Sequence, residues 1–192
     1  MWQKIVDEIE QSWRLKPRQD AIYVLERLRY VMRRCQTKYD DFERAQRELE
    51  VTAATDLDPK AEARRDLRRI WWAMEVCVLV AVLEDLDDTF HFLSEPGRIS
   101  LNSVQRDGEQ GEISAIRSLR IIAQEVSDDP AIDVSALRME PSFLEAWKRL
   151  DALMTSNFTA VEIREATETV GARRRAEISA QAEGARKRRN AR

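Results

Sequence analysis

Apolar residues recur at steps of three and four along almost the whole chain, which is the spacing of amphipathic helices. Residues 2–16 place Ile5, Val6, Ile9 and Trp13 on one face before Pro17 breaks the helix. The pattern then predicts a helix over 18–54. In it Leu25, Leu28, Met32, Cys35, Tyr39, Phe42, Gln46 and Leu49 alternate steps of three and four without a slip, as along a coiled-coil seam. Ile22, Tyr23, Val24 and Val31 widen the apolar face of its first half, so that half should be buried on two sides. A third helix is predicted over 59–93, with Asp58 as N-cap and Pro59 at the first helical position. From Ile70 to Leu83 it is apolar around nearly its whole circumference, interrupted only by Glu75. A helix with no polar face must be surrounded, so this one is expected at the centre of the fold.

Folding the second helix back on the third about Asp56 sets residue i opposite roughly residue 112 − i, as in an antiparallel αα-hairpin. Charges then meet opposite charges. Arg27 and Arg29 approach Asp85 and Asp87, Glu48 approaches Arg64, and Glu75 approaches Arg34 and Lys38. The acidic Asp40, Asp41 and Glu43 fall near Arg69, and Cys35 falls opposite Cys77. Such complementarity fixes orientation and register more than it adds stability. The expected fold is all-α, an antiparallel helical bundle built on the hairpin of residues 18–54 and 59–93.

Ser94-Glu95-Pro96-Gly97 ends the third helix, and a loop with Gly108 and Gly111 leads to a helix carrying Ile113, Ile116, Leu119 and Val126 on one face. Asp128-Asp129-Pro130 stops it. Ser142-Phe143-Leu144-Glu145 has the form of a capping box, opening a helix whose apolar face is Phe143, Trp147, Leu150 and Met154. Thr159-Ala160-Val161-Glu162 repeats the box before Val161, Ile163, Ala166 and Val170. Beyond Gly171 apolar residues thin out. The chain therefore divides into a bundle over 1–170 and an Arg-rich flexible tail or frayed helix over 171–192.

Composition narrows the function. The 192 residues are 43% apolar and 35% charged, and only five Gly and five Pro leave little turn chemistry for a many-stranded β fold. Two Cys and one His cannot supply a disulfide framework or a Cys- and His-rich zinc site. No secretory signal opens the sequence, and the fourteen-residue apolar run falls short of the roughly twenty needed for a membrane span. A cytoplasmic protein with reduced thiols and no membrane partner is expected.

The net charge of −3 conceals a basic C-terminus: over 171–192, seven Arg and one Lys stand against Glu177 and Glu183. Arg173, Arg174, Arg175, Arg186, Lys187, Arg188, Arg189 and Arg192 are the candidate nucleic-acid-binding residues, holding phosphate by counterion release. No aromatic stands among them to stack on bases. Glu84, Asp87, Asp88 and His91 share a helical face that suits Mg²⁺ held with a substrate phosphate. The cluster resembles the Asp-rich helix of isoprenoid synthases, although no Asp follows four residues after Asp87 or Asp88 and no second metal-binding motif lies downstream. It is also similar to the acidic motifs of all-α nucleotide pyrophosphatases, whose second acidic helix is replaced here by Arg27 and Arg29. Trp71 and Trp72 point about 100° apart, and one of them is a candidate interface anchor.

These features favour a non-enzymatic α-helical interaction or regulatory protein, a small subunit or adaptor of a larger assembly, working through a protein partner or self-association and needing no cofactor. A nucleic-acid-binding auxiliary acting through the tail is one alternative. A Mg²⁺-dependent phosphohydrolase or transferase using Glu84, Asp87 and Asp88 is the other.

Overall fold

The computed structural model describes residues 2–53, 59–93 and 141–190. They form helices α1 (Trp2–Ser12), α2 (Arg18–Ala53), α3 (Pro59–Phe90), α4 (Pro141–Asn157) and α5 (Ala160–Asn190), with a 3₁₀ turn at Trp13–Leu15 and no strand among the described residues. The helix predicted over 113–126 lies outside them. The all-α bundle and its hairpin are as the periodicity implies.

The antiparallel register of α2 and α3 shows in its side-chain pairs. Arg27 meets Asp85 at 3.9 Å, Arg34 meets Glu75 at 2.5 Å and Glu48 meets Arg64 at 3.8 Å. Asp41 meets Arg68 at 3.7 Å, and the Cys35 thiol donates to the Glu75 carbonyl at 3.1 Å. Between these polar contacts the α2 seam buries Leu25, Leu28, Met32 and Cys35 completely or nearly so. Two expected pairings are replaced. Arg29 turns instead to Glu26 and to Asp151 of α4, both within ion-pair distance, and Lys38 pairs with Asp41.

Among the described residues the helix with the most neighbours is α2, where the apolar pattern pointed to α3. Along α2 pack α3 on one side, α4 and α5 on others, and the 3₁₀ turn at its N-terminal end. The two-sided burial expected of its first half is present: Ile22, Val24 and Val31 are all buried. Two charged residues are buried with them. Glu26 accepts from Arg29 at 2.7 Å and from the Thr167 hydroxyl at 2.9 Å, and Arg27 donates to Glu177 at 2.6 Å. Apolarity alone pointed to α3 because α2 contains these charges, whereas burial tolerates a charge that is paired.

Around α2 the remaining helices are set by local signals. Helix α1 buries Trp2, Ile5, Val6 and Ile9 against α4, where the Trp2 and Phe143 rings meet edge-on at 4.9 Å. Arg149 of α4 bridges Asp7 and Glu10 of α1. The turn into α5 is a complete capping box. The Glu162 amide donates to the Thr159 hydroxyl at 3.3 Å, and the Glu162 carboxylate accepts from the Thr159 amide at 2.8 Å. Reciprocal bonds of this kind satisfy amides that the first helical turn leaves orphaned.

Candidate interaction surface

Trp71 and Trp72 diverge as their helical spacing requires. Trp72 is fully buried between the rings of Tyr39, at 5.0 Å, and Phe42, at 5.4 Å. It is a core residue and presents no surface to a partner. Trp71 faces outward and is 38% exposed. Its ring is held by two cations, the Lys38 ammonium 5.3 Å and the Arg68 guanidinium 4.9 Å from the centroid. Asp41 binds both of them at 3.7 Å. Cation–π contacts of about 0.5–1 kcal/mol each, tied down by a shared carboxylate, hold the indole in place.

Trp71 belongs to a longer face. Leu67 is 45% and Met74 54% exposed, and Ala81 is exposed further along. Ile70, Cys77 and Val78 are half-buried between them. The steps 67, 71, 74, 78 and 81 trace a helical stripe spanning about 21 Å at 1.5 Å per residue. Glu75, the one charge within the apolar stretch, points the other way, into α2, and is 7% exposed. Exposed apolar faces are a feature that recognition surfaces share. Only Trp71 was singled out by composition. Leu67, Met74, Val78 and Ala81 carried the same three-and-four spacing, hidden in a run where every position looked like core.

The acidic face does not assemble. Asp87 is 5% exposed, and its carboxylate accepts from the Leu93 amide at 2.9 Å. It thereby caps the chain where His91, at φ 48°, leaves α3 and the buried Phe92 and Leu93 turn back onto the core. Asp88 and His91 are exposed and Glu84 is half-buried. Among the described residues no three His, Cys, Asp or Glu side chains converge as ligands for a metal ion.

The basic C-terminal segment is helical without a break at Gly171, since α5 continues to Asn190. Arg173 and Arg174 belong to the bundle. Arg173 binds Asp85 at 2.9 Å and the Tyr23 hydroxyl at 2.7 Å, while the buried Arg174 lies 3.5 Å from Glu177 and 4.0 Å from Glu75. Burial pushes the Glu177 carboxyl up, but the hydrogen bond and charge of Arg27 and the charge of Arg174 outweigh it and hold the group below its ordinary value. Arg27, Asp85, Arg173, Arg174 and Glu177, with Val82 and with Val78 and Ala81 at the edge of the α3 stripe, line a cavity of about 240 Å³. Arg175 is exposed, Arg186, Lys187, Arg188 and Arg189 lie on the last turns of α5, and Arg192 is outside the described residues. Sequence reasoning paired Arg27 with Asp85 but missed Arg173, Arg174 and Glu177, because they come from α5, far along the chain.

Both cysteines are free thiols. Burial first, then the nearby Glu75 charge, pushes the Cys35 thiol well above its ordinary value, which leaves it protonated and inert. No helix among the described residues is long and apolar enough to cross a membrane. Comparison with known protein families, with characterised proteins and with solved structures finds no match for this chain.

Proposed function

We infer that this chain is a non-enzymatic helical interaction protein of the cytoplasm that presents the outer face of α3 to another protein. The observation that carries this reading is the exposed stripe of Leu67, Trp71 and Met74, with its indole fixed by Lys38 and Arg68. Interface anchors are enriched in Trp and Arg, and a side chain already held in one rotamer loses less entropy on binding. The enzymatic alternative draws no support from the acidic face, whose central carboxylate is committed to the Leu93 amide. The nucleic-acid alternative loses two of its eight basic residues to internal ion pairs.

The test places a photo-crosslinking amino acid at Met74, with an identical probe at the exposed Arg33 of α2 as control. Illumination in native lysate should give discrete protein adducts from position 74 and none above background from position 33. Equal labelling from both positions, or adducts from neither, removes the α3 face from consideration.

A further inference from the structure

The α3 stripe is self-complementary when reversed. Set against a second, antiparallel copy so that Met74 faces its own counterpart, Leu67 lies opposite Ala81 of the second copy. Trp71 lies opposite Cys77 and Val78. Large residues thus meet small ones on both sides of the centre, which lets two helices approach closely and interdigitate. The charges are arranged in the same sense. From residue 60 to 69 α3 carries Lys60, Arg64, Arg65, Arg68 and Arg69 against Glu62 and Asp66, a net positive end; from 84 to 88 it carries Glu84, Asp85, Asp87 and Asp88 and no cation. Between them stands only Glu75, which is turned into α2. In the reversed alignment Lys60 falls opposite Asp88 and Arg64 opposite Glu84, whereas a parallel alignment sets like charges together. Charge segregation of this kind selects both the partner and its orientation.

Resting on the reading of this face as an interaction surface, we propose that its occupant is a second copy of the chain, docked α3 to α3 in an antiparallel, two-fold symmetric contact. A symmetric dimer uses one patch on both subunits, and a stripe centred on one residue with opposite charges at its two ends meets that requirement. Four turns of helix place the contact at the small end of specific interfaces, so association is expected in the micromolar range, at about 1–100 μM.

Sedimentation velocity on the full chain, from about 1 to 200 μM to bracket that range, tests the proposal. The wild type should shift from monomer to dimer with concentration. Trp71→Ala removes the anchor and should weaken dimerisation at least about thirtyfold, as for a hot-spot residue. Met74→Glu should leave a monomer with an unchanged helical circular-dichroism spectrum. The decisive experiment mixes charge reversals: Lys60→Glu and Asp88→Lys should each weaken self-association, while an equimolar mixture of the two should recover it as a heterodimer. Arg64→Glu with Glu84→Lys is the second such pair, should one of the first variants fail to fold.

A wild type that stays monomeric throughout overturns the proposal, as does a dimer that survives both Trp71→Ala and Met74→Glu. Reversals that do not rescue each other overturn the antiparallel register. A monomer whose position 74 still crosslinks to a different protein overturns the self-association alone and leaves the interaction surface standing. Coverage of the face by residues 94–140 would appear as a monomer with no adducts, and overturns both readings.

Discussion

Glu75 and Arg34 form the pair on which the hairpin's polar register is most directly testable. The Glu75 side chain is 9% exposed inside the apolar stretch of α3, and one of its oxygens accepts from Arg34 Nε at 3.1 Å and Nη2 at 2.5 Å. Its other oxygen has no hydrogen bond, and Arg174 Nη2 stands 4.0 Å away. Arg34 is the less buried partner, with its side chain 35% exposed. The two truncations should therefore differ. Arg34→Met strands a buried carboxylate; breaking a buried pair costs about 3–5 kcal/mol, reduced here to about 2–3 because Arg34 is partly solvated and Arg174 remains nearby. Glu75→Leu frees a guanidinium that has solvent within reach and adds apolar contact, so it should cost no more than about 1 kcal/mol. The double variant Arg34→Met, Glu75→Leu should return to within about 1 kcal/mol of the wild type, giving a coupling of about 2 kcal/mol.

Urea unfolding followed by tryptophan fluorescence reads all four corners of this cycle. It should be run at one chain concentration, because association shifts apparent stability. Equal losses in the two single variants, or a double variant as damaged as Arg34→Met alone, would refute the reasoning that burial of Glu75 sets the cost.

Trp72→Ala should lose about 3–5 kcal/mol, the cost of emptying a large buried aromatic site, while Trp71→Ala in the same assay should lose less than about 1 kcal/mol; similar values would contradict their assignment to core and surface. Removing residues 178–192 should leave the urea midpoint within about 0.5 kcal/mol of the wild type. Removing 171–192 should cost about 2 kcal/mol or more, because it strips Arg27 and Glu75 of the partners on α5, and equal effects would show that Arg173, Arg174 and Glu177 clamp nothing. The Glu162 carboxyl is brought down to about 2 by the hydrogen bond from Arg18 and then by those from Thr159. A depressed carboxylate contributes stability above its unfolded value, so that contribution should disappear as pH falls from the ordinary 4.5 towards about 2. Arg18→Gln should flatten this part of the pH profile, and an unchanged profile in that variant would count against the pair.

The hairpin was legible because two independent patterns agreed on it. The α2 seam gave direction, and opposite charges at matching distances from Asp56 gave register, as the Arg27–Asp85, Glu48–Arg64 and Arg34–Glu75 pairs show. The α5 entry was legible because a capping box is a local device, complete within Thr159 to Glu162. What escaped was whatever depends on a third helix. Arg29 goes to Asp151 and Arg27 to Glu177 only because α4 and α5 arrive beside α2, and no spacing within the hairpin encodes that. Asp87 looked like a ligand because its neighbours in sequence are acidic, yet its use is set by the left-handed turn at His91 that brings the Leu93 amide within reach.

The centre expected at α3 leads furthest. A helix apolar on all sides needs cover on all sides; among the described residues α2 supplies it on one, and α5 meets only the C-terminal half through Arg173 and Arg174. Were the outer face of α3 part of the core, Met74 would be enclosed as Met32 and Met154 are, at 2% and 0% exposed; it stands at 54%. The uneven charge of α3 then serves twice. Its basic end meets Asp41 and Glu48 of α2, and its acidic end meets Arg27. That segregation fixes the register of the hairpin on the inner face. It also gives the two ends of the apolar stripe opposite net charge, which is the arrangement a reversed copy of the same helix satisfies.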